Sequence, residues 1–323
     1  DIRKRRFENG SLDLDFPETK IRLDAAGKVD RIELHDNDIS HQLIEEFMLL
    51  ANEAVAARLM KLKRTAIYRT HEAPDPDRLR SYREDVLSHA IPCGNLTKPA
   101  EVRKLFRQLG ELASGAALKI GFLKSLNRAR YTTDPLGHYG LAKKKYAHFT
   151  SPIRRYADLV VHRSLFATEK STLLLPLHDV ANHLSSSERN SADAERDSKD
   201  IKLHAYLLDQ IHSGKPTRYP ARVTSLRDFG FFVDIAELGM SGMVPLALLE
   251  DDHYRHDPAA KKIEGRGKRR TIQLGDIVDV EIAKVDAARK MVDFRIVGTA
   301  RNGRKGAHSP AGTRPGPRSR KNH

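Results

Sequence analysis

The 323-residue sequence contains a single cysteine, Cys93, and no tryptophan, and aromatic residues make up only 6 % of it. One thiol excludes an internal disulfide framework and any zinc site built on cysteines. It points instead to a reducing, cytoplasmic compartment. No apolar run approaches the ~18 residues that a helical membrane span needs. There is no initiator methionine. The opening Asp1-Ile2-Arg3-Lys4-Arg5-Arg6 lacks the apolar stretch of a signal peptide and reads as the interior of a longer polypeptide. Acid is also in short supply: 43 Asp and Glu face 57 Lys and Arg, a formal net charge of +14.

What is present is a globular composition, 39 % hydrophobic, enough to bury a core. The surplus positive charge points to a polyanionic partner, nucleic acid before an acidic membrane surface. Half of it lies in residues 299–323, where Arg301, Arg304, Lys305, Arg314, Arg318, Arg320 and Lys321 meet no acid. Rich in Gly, Pro and Ser, this stretch cannot build a core and reads as a disordered basic tail.

The rest divides by pattern. Residues 1–35 alternate apolar and polar side chains, as in Ser11-Leu12-Asp13-Leu14-Asp15-Phe16 and Lys20-Ile21-Arg22-Leu23, with a glycine turn before Val29; they read as strands and a hairpin. Residues 38–213 read mainly as helix. Ile44, Phe47, Met48, Ala51 and Val55 share one stripe, as do Val102, Leu105, Phe106, Leu109, Leu112 and Ala116. A last helix over about 188–211 presents Ile201, Ala205 and Leu208. Residues 217–297 then switch to five short β-type segments with a loop over about 250–270, the size of a small closed barrel. The fold class is therefore α+β, with divisions at 1–214, 215–298 and 299–323.

The densest chemistry lies between Tyr139 and Arg163. Ser151 suits a helix cap and Pro152 a first helical position, which predicts a helix from there with Ile153, Tyr156, Ala157, Val160, Ser164 and Leu165 as its buried stripe. Arg154 and Arg155 then fall in a first turn, where free backbone N–H groups favour anions, and guanidinium groups grip phosphate in bidentate fashion. Lys143, Lys144, Lys145 and His148 add charge upstream. A plain surface ion pair between Arg154 and Asp158 explains the same spacing.

The run Tyr139-Gly140-Leu141, then Tyr146-Ala147-His148-Phe149-Thr150-Ser151-Pro152-Ile153-Arg154-Arg155-Tyr156-Ala157-Asp158-Leu159, then His162-Arg163, closely resembles the signature of the ribonuclease II / ribonuclease R (RNB) family of exoribonucleases. Leu43 through Asn52 and Ala66 through Pro76 agree with it. The resemblance implies a hydrolytic, processive 3′-to-5′ exoribonuclease that uses magnesium and releases nucleoside monophosphates. Its partners would be single-stranded and structured RNA, with the ribosome or the RNA-decay machinery as further candidates, and the chain would be a monomer. Arg154 matches the family's catalytic arginine, with Arg155, His148 and Tyr156 as neighbours. Glu195 resembles a 3′-end contact. Glu45, Glu46 and Asn52 are candidates for the RNA or the site wall, each equally readable as a solvated helix face.

One departure matters. The family's metal-binding aspartates, spaced Asp-x5-Asp-x-Asp-Asp, have no counterpart among pairs such as Asp13 and Asp15, Asp36 and Asp38 or Asp75 and Asp77. The expectation is that this chain holds no metal ligands and by itself binds RNA without cleaving it. A non-catalytic RNA-binding remnant or adaptor is the alternative. As a half-domain, residues 1–210 should expose apolar surface. Residues 217–297 resemble an S1-type RNA-binding domain with the oligonucleotide-binding fold. There Phe229, Phe231 and Phe232 are the candidate stacking residues, and Arg222, Arg227 and His253 candidate phosphate contacts. The alternative is that all three rings are core. The loop holding Lys261, Lys262, Arg266, Lys268, Arg269 and Arg270 would extend the RNA path as a flexible basic segment.

Overall fold

The structure is a computed structural model and describes residues 2–12, 18–35, 37–112, 114–167, 176–214, 216–258, 260–267 and 270–297. A short helix, α1 (Ile2–Glu8), precedes the hairpin of β1 (Glu18–Leu23) and β2 (Val29–His35), which pair only with each other among the described residues. The long helix α2 (Ile39–Lys61) starts at Asp38, whose carboxylate accepts from the backbone N–H of Ser40 and His41. β3 (Tyr68–Thr70) leads to α3 (Pro76–Ser88), which has Asp75 as cap and proline in its first turn. Two more helices follow, α4 (Pro99–Gly110) and α5 (Gly115–Ser125), and then β4 (Arg130–Thr132), which pairs antiparallel with β3. The remaining helices are α6 (Tyr156–Phe166) and α7 (Leu177–His212), the latter 36 residues long.

β5 (Tyr219–Arg227), β6 (Gly230–Ile235), β7 (Met240–Pro245), β11 (Ile277–Asp286) and β12 (Met291–Ile296) close into a barrel in the order β11-β12-β7-β6-β5. Between β7 and β11 lies a three-stranded antiparallel sheet of β8 (Tyr254–Asp257), β9 (Lys262–Gly265) and β10 (Thr271–Gln273).

Each layer has its own core. Tyr82, Phe106 and Phe122 join α3, α4 and α5 edge to face, with ring centroids 5.4 and 5.2 Å apart. Val160 of α6 and Ala181 of α7 close over Tyr131. In the barrel, Val223, Phe231, Val233, Val280 and Phe294 are fully buried, as strand alternation requires. α7 belongs to both ends. Its Ser185 hydroxyl accepts from the Tyr131 N–H at 2.9 Å, while Leu207 packs into the barrel core and Gln210 donates to the Tyr219 hydroxyl at 2.6 Å. Residues 189–196 between them are exposed.

Several expectations change. α1 has no apolar periodicity to announce it. The first part of the expected stripe on α2 faces outward, with Ile44 and Phe47 52 and 54 % exposed, while Val55 packs against the core and the buried face carries Glu46, Leu49, Asn52, Ala56 and Leu59. Polar groups went inside because they have partners there: the Arg6 guanidinium makes a two-point contact with Glu46 at 2.7–3.2 Å and donates to Ser11 at 2.8 Å. In the last third of α7 the buried residues are Leu203, His204 and Leu207, not Ile201, which is 66 % exposed. The 250–270 loop contains β8 and β9. Their strands have four residues each, too few for a periodic signal, and Tyr254, Ile263 and, on β10, Ile272 anchor them on the barrel core. Most of the expected strand over 11–16 and the whole tail over 299–323 lie outside the described residues, as do Lys268 and Arg269.

Removing the Phe294 ring should leave a cavity at the barrel centre and cost roughly 3–5 kcal/mol. Urea unfolding of Phe294→Ala followed by circular dichroism measures this; a change below about 1 kcal/mol would show that the ring does not carry the core.

Candidate nucleic-acid interface

The helix expected at Ser151 begins five residues later, and the reason is Asp158. This carboxylate is fully buried and accepts three hydrogen bonds: from the Ser151 N–H at 2.8 Å, from Arg155 Nε at 2.8 Å and from Arg155 Nη2 at 2.9 Å. Residues 152–154 are thereby folded into a turn lying over the start of α6 rather than continuing it. Ser151 is capped instead of capping, and Ile153 at the turn's tip is fully exposed. The ion pair foreseen for Arg154 belongs to Arg155, whose Nε lies 2.8 Å from the carboxylate. Arg154 is exposed and, among the described residues, has no ion pair or side-chain hydrogen bond.

Arg154 and Arg155 line a cleft of about 440 Å³ with Ser151, Tyr146, Asn52 and the outward side chains Ile44 and Met48 of α2. The cleft wall is held by α2. Asn52, buried, donates to the Tyr146 hydroxyl at 3.0 Å and accepts from the Phe149 N–H at 2.9 Å, which fixes the segment leading to Ser151. His162 stacks on Phe149, with centroids 4.0 Å apart and planes at 11°, and its Nε2 lies 2.9 Å from the Phe149 carbonyl oxygen. Lys143 pairs with Glu53 of α2.

Beneath the arginines runs a set of edge-on rings. His71 meets His138 at 5.0 Å, His138 meets Tyr146 at 5.4 Å, Tyr146 meets His148 at 5.8 Å and His148 meets Tyr131 at 5.6 Å. Tyr131 Oη and His148 Nδ1 share a hydrogen bond of 2.9 Å. Burial, reinforced by the charges of Arg155, Arg69 and Arg154, pushes the His148 imidazole down to about 2. Burial beside His71 pushes His138 down to about 3, and burial raises the Tyr131 phenol to about 12. His148 is therefore neutral packing beneath the cleft and adds no positive charge to it, contrary to expectation. The Arg69 guanidinium covers Tyr131 at 4.8 Å and pairs with Glu188.

The other expected residues scatter. Tyr156 is on the solvent side, 44 % exposed, within 3.5 Å of Arg163. Glu195 sits on the exposed middle of α7, paired with Lys199 at 2.7 Å. Of the acids on α2, Glu46 is committed to Arg6, while Glu45 lines the cleft. In the barrel, Phe231 is fully buried and is core rather than a stacking face, because it points inward with Val233. Phe229 is 59 % exposed at the β5–β6 turn and Phe232 is half-buried on the outer face. Arg222 donates to the Gly275 carbonyl at 3.4 Å, and His253 is exposed beside β8. Asn52, a candidate for the RNA or the site wall, lines the cleft. The roles of Tyr131 and Arg69 were not foreseen, because they come from β3 and β4, three-residue strands that leave almost no pattern.

Two-metal phosphodiester hydrolysis needs several carboxylates converging on ions. Among the described residues no group of three or more His, Cys, Asp or Glu side chains is placed to hold a metal ion. At the cleft itself, Asp158 is already saturated by Arg155 and Ser151. The donor set here does not fit magnesium. Among the described residues, no helix is long and apolar enough to cross a membrane.

The RNB domain family matches residues 1–170, and the S1 RNA binding domain family matches residues 214–296. Ribonuclease R of Vibrio cholerae is 33 % identical over 318 residues, covering 93 % of this chain and 38 % of that protein. Ribonuclease R of Escherichia coli K12 is 31 % identical over 315 residues, covering 92 % of this chain and 38 % of that one. Among solved structures, Mycoplasma genitalium RNase R in complex with ribose methylated single-stranded RNA superposes with a TM-score of 0.78 at 26 % identity, over 92 % of this chain and 48 % of that one. The chain thus spans between 38 and 48 % of the length of these relatives.

Two measurements probe this interface. Asp158→Ala leaves the Arg155 guanidinium largely enclosed without a counter-charge and should destabilise the fold by roughly 3–5 kcal/mol in urea unfolding. The depressed imidazoles set a pH dependence. Unfolded histidine titrates near 6.5, so below that pH the unfolded chain binds protons that folded His148 and His138 refuse. Stability should be intact above pH 6.5 and fall as pH drops from 6.5 toward about 3, by about 2 kcal/mol per imidazole at pH 5. His148→Gln should flatten this fall; an unchanged pH profile would place the titration elsewhere.

Proposed function

Because the chain belongs to the RNB family, we propose that it is the RNA-holding portion, residues 1–214 with an S1 barrel over 215–298, of a cytoplasmic ribonuclease R-type exoribonuclease that degrades RNA processively from the 3′ end to nucleoside 5′-monophosphates. The observation that carries this reading is Arg154. Its guanidinium is exposed, has no counter-ion among the described residues, and stands on a turn pinned by a buried carboxylate at a walled cleft. A guanidinium so placed binds the two non-bridging oxygens of a phosphodiester side by side. As a nucleophile attacks phosphorus, charge builds on those oxygens, and a pre-positioned cation stabilises it without reorganising at that moment. Arg155 acts differently. Its charge is spent on Asp158, so it fixes the turn and contributes field rather than a ligand contact. Ile44 and Met48 give the cleft an apolar wall against which sugar and base can lie.

No carboxylate cluster accompanies these cations among the described residues. That favours a division of labour: this chain grips RNA, and by itself does so without hydrolysis. An RNA-binding protein without catalysis is the second reading, supported by the same observation.

A 3′-labelled single-stranded RNA incubated with magnesium, with and without Arg154→Ala, separates the two. We expect binding without monophosphate release, weakened roughly tenfold or more by Arg154→Ala, the scale of a hydrogen bond to a charged group. Magnesium-dependent release abolished by the same substitution would show that the chain is a complete nuclease. Binding indifferent to Arg154 would remove the phosphate site.

A further inference from the structure

Tyr131 of β4, in the ring set beneath the arginines, is held from three directions. Its backbone N–H donates to the Ser185 hydroxyl of α7 at 2.9 Å. Its own hydroxyl shares a 2.9 Å hydrogen bond with His148 Nδ1. The guanidinium of Arg69, its register partner on β3, lies over the ring at 4.8 Å from the centroid. Arg69 is committed in turn. Its Nη1 lies 2.5 Å from a Glu188 carboxylate oxygen, and its backbone N–H donates to the Tyr146 carbonyl at 3.0 Å. The Arg69 side chain is only 14 % exposed, whereas Glu188 is 40 % exposed. Ser185 and Glu188 are three residues apart, so one face of α7 supplies both groups.

These contacts lead to the Arg154 turn by a short path. Tyr146 and His148 open the segment that runs through Phe149 to Ser151, whose N–H is held by Asp158. Arg69 fixes the Tyr146 end of that segment through its backbone, and the His148 ring through Tyr131. It does not itself line the cleft. A largely enclosed guanidinium depends on its counter-charge. Without Glu188 it would turn toward solvent and uncover Tyr131, and the His148 ring would lose its fixed bearing. We propose that Arg69, locked by Glu188 of α7, is a positioning residue for Arg154: it sets the Tyr131–His148 pair and the 146–151 segment on which the phosphate-holding turn stands. The inference rests on the reading of Arg154 as the phosphate ligand and deepens it, because it couples the seat of α7 to the grip on RNA.

The test is titration of the full chain into a short fluorescein-labelled oligouridylate, read by anisotropy, for Glu188→Gln, Arg69→Lys and Arg154→Ala, alone and combined. Circular dichroism establishes that each variant folds. Glu188→Gln removes a negative charge, so the field alone would tighten binding to a polyanion. Positioning requires the opposite, a weakening of about threefold or more, the scale of coupling within one ion-pair network. Arg69→Lys keeps the charge but loses the planar fork, and should weaken binding to a similar degree. In the Arg154→Ala background neither substitution should weaken binding further. The NMR signal of the Arg155 Nε–H, which donates to Asp158, reads the turn without RNA, and it should exchange faster with solvent in both variants. Unchanged or tighter binding by Glu188→Gln, or a loss that persists in full without Arg154, overturns the positioning role. So does Arg155 Nε–H exchange that neither substitution alters. If Arg154→Ala itself leaves binding intact, the phosphate-site reading fails instead, and the exchange rates alone decide whether Arg69 holds the turn.

Discussion

The geometry around Arg154 depends on one buried carboxylate. Asp158 enters the protein interior with full compensation: a backbone N–H from Ser151 and two guanidinium N–H groups from Arg155 occupy its oxygens. A buried charge so satisfied is costly to disturb, because removing any one partner strands the others. The consequence is local shape. The chain cannot run straight from Ser151 into α6; it must fold back over the helix start and leave the next side chain, Arg154, with nothing inside to pair with. One arginine is consumed so that its neighbour stays available.

Support for that turn comes from side chains that would be misfits elsewhere. Asn52 ties the preceding segment to α2, and His162 closes it from the opposite side by stacking on Phe149. Beneath lie an imidazole kept neutral by burial and by the arginine field, and a phenol kept neutral by burial against that field. They pack edge to face as aromatics, and Tyr131 and His148 also share a hydrogen bond. Positive potential at the cleft therefore comes from Arg154, since Asp158 neutralises its neighbour, and the histidines, despite their number, do not add to it.

How much of this the sequence disclosed varied with the length and regularity of each segment. The barrel was readable because alternation over five or more residues decides which side chains enter, and Phe231 and Val233 obey it. The basic run around Arg154 marked a candidate anion site, and the structure leaves Arg154 exposed at a cleft. Which of two adjacent arginines would pair with Asp158 was not. Spacing by four points to Arg154 only if the helix already exists there, and the helix starts at Tyr156 instead. The stripe on α2 misled for a related reason: apolar periodicity shows that a helix has a face, not which way it turns, and here Arg6 and Glu46 satisfied each other inside. The three-residue strands β3 and β4 and the short strands β8 to β10 are too brief to leave a periodic signature; tertiary pairing makes them.

α7 links these parts in a further way. Its first turns are seated against Tyr131, its last turns against the barrel, and the stretch between them touches little. An α-helix advances ~1.5 Å and turns ~100° per residue. The helix therefore works like a splined shaft, setting the barrel's angular bearing as well as its distance. One residue gained or lost within 189–196 would move the barrel only slightly along the axis, yet swing it by more than a quarter turn. Segment length along that exposed stretch is thus far less free than side-chain identity, and natural variation there should consist of substitutions, or of length changes by whole helical turns.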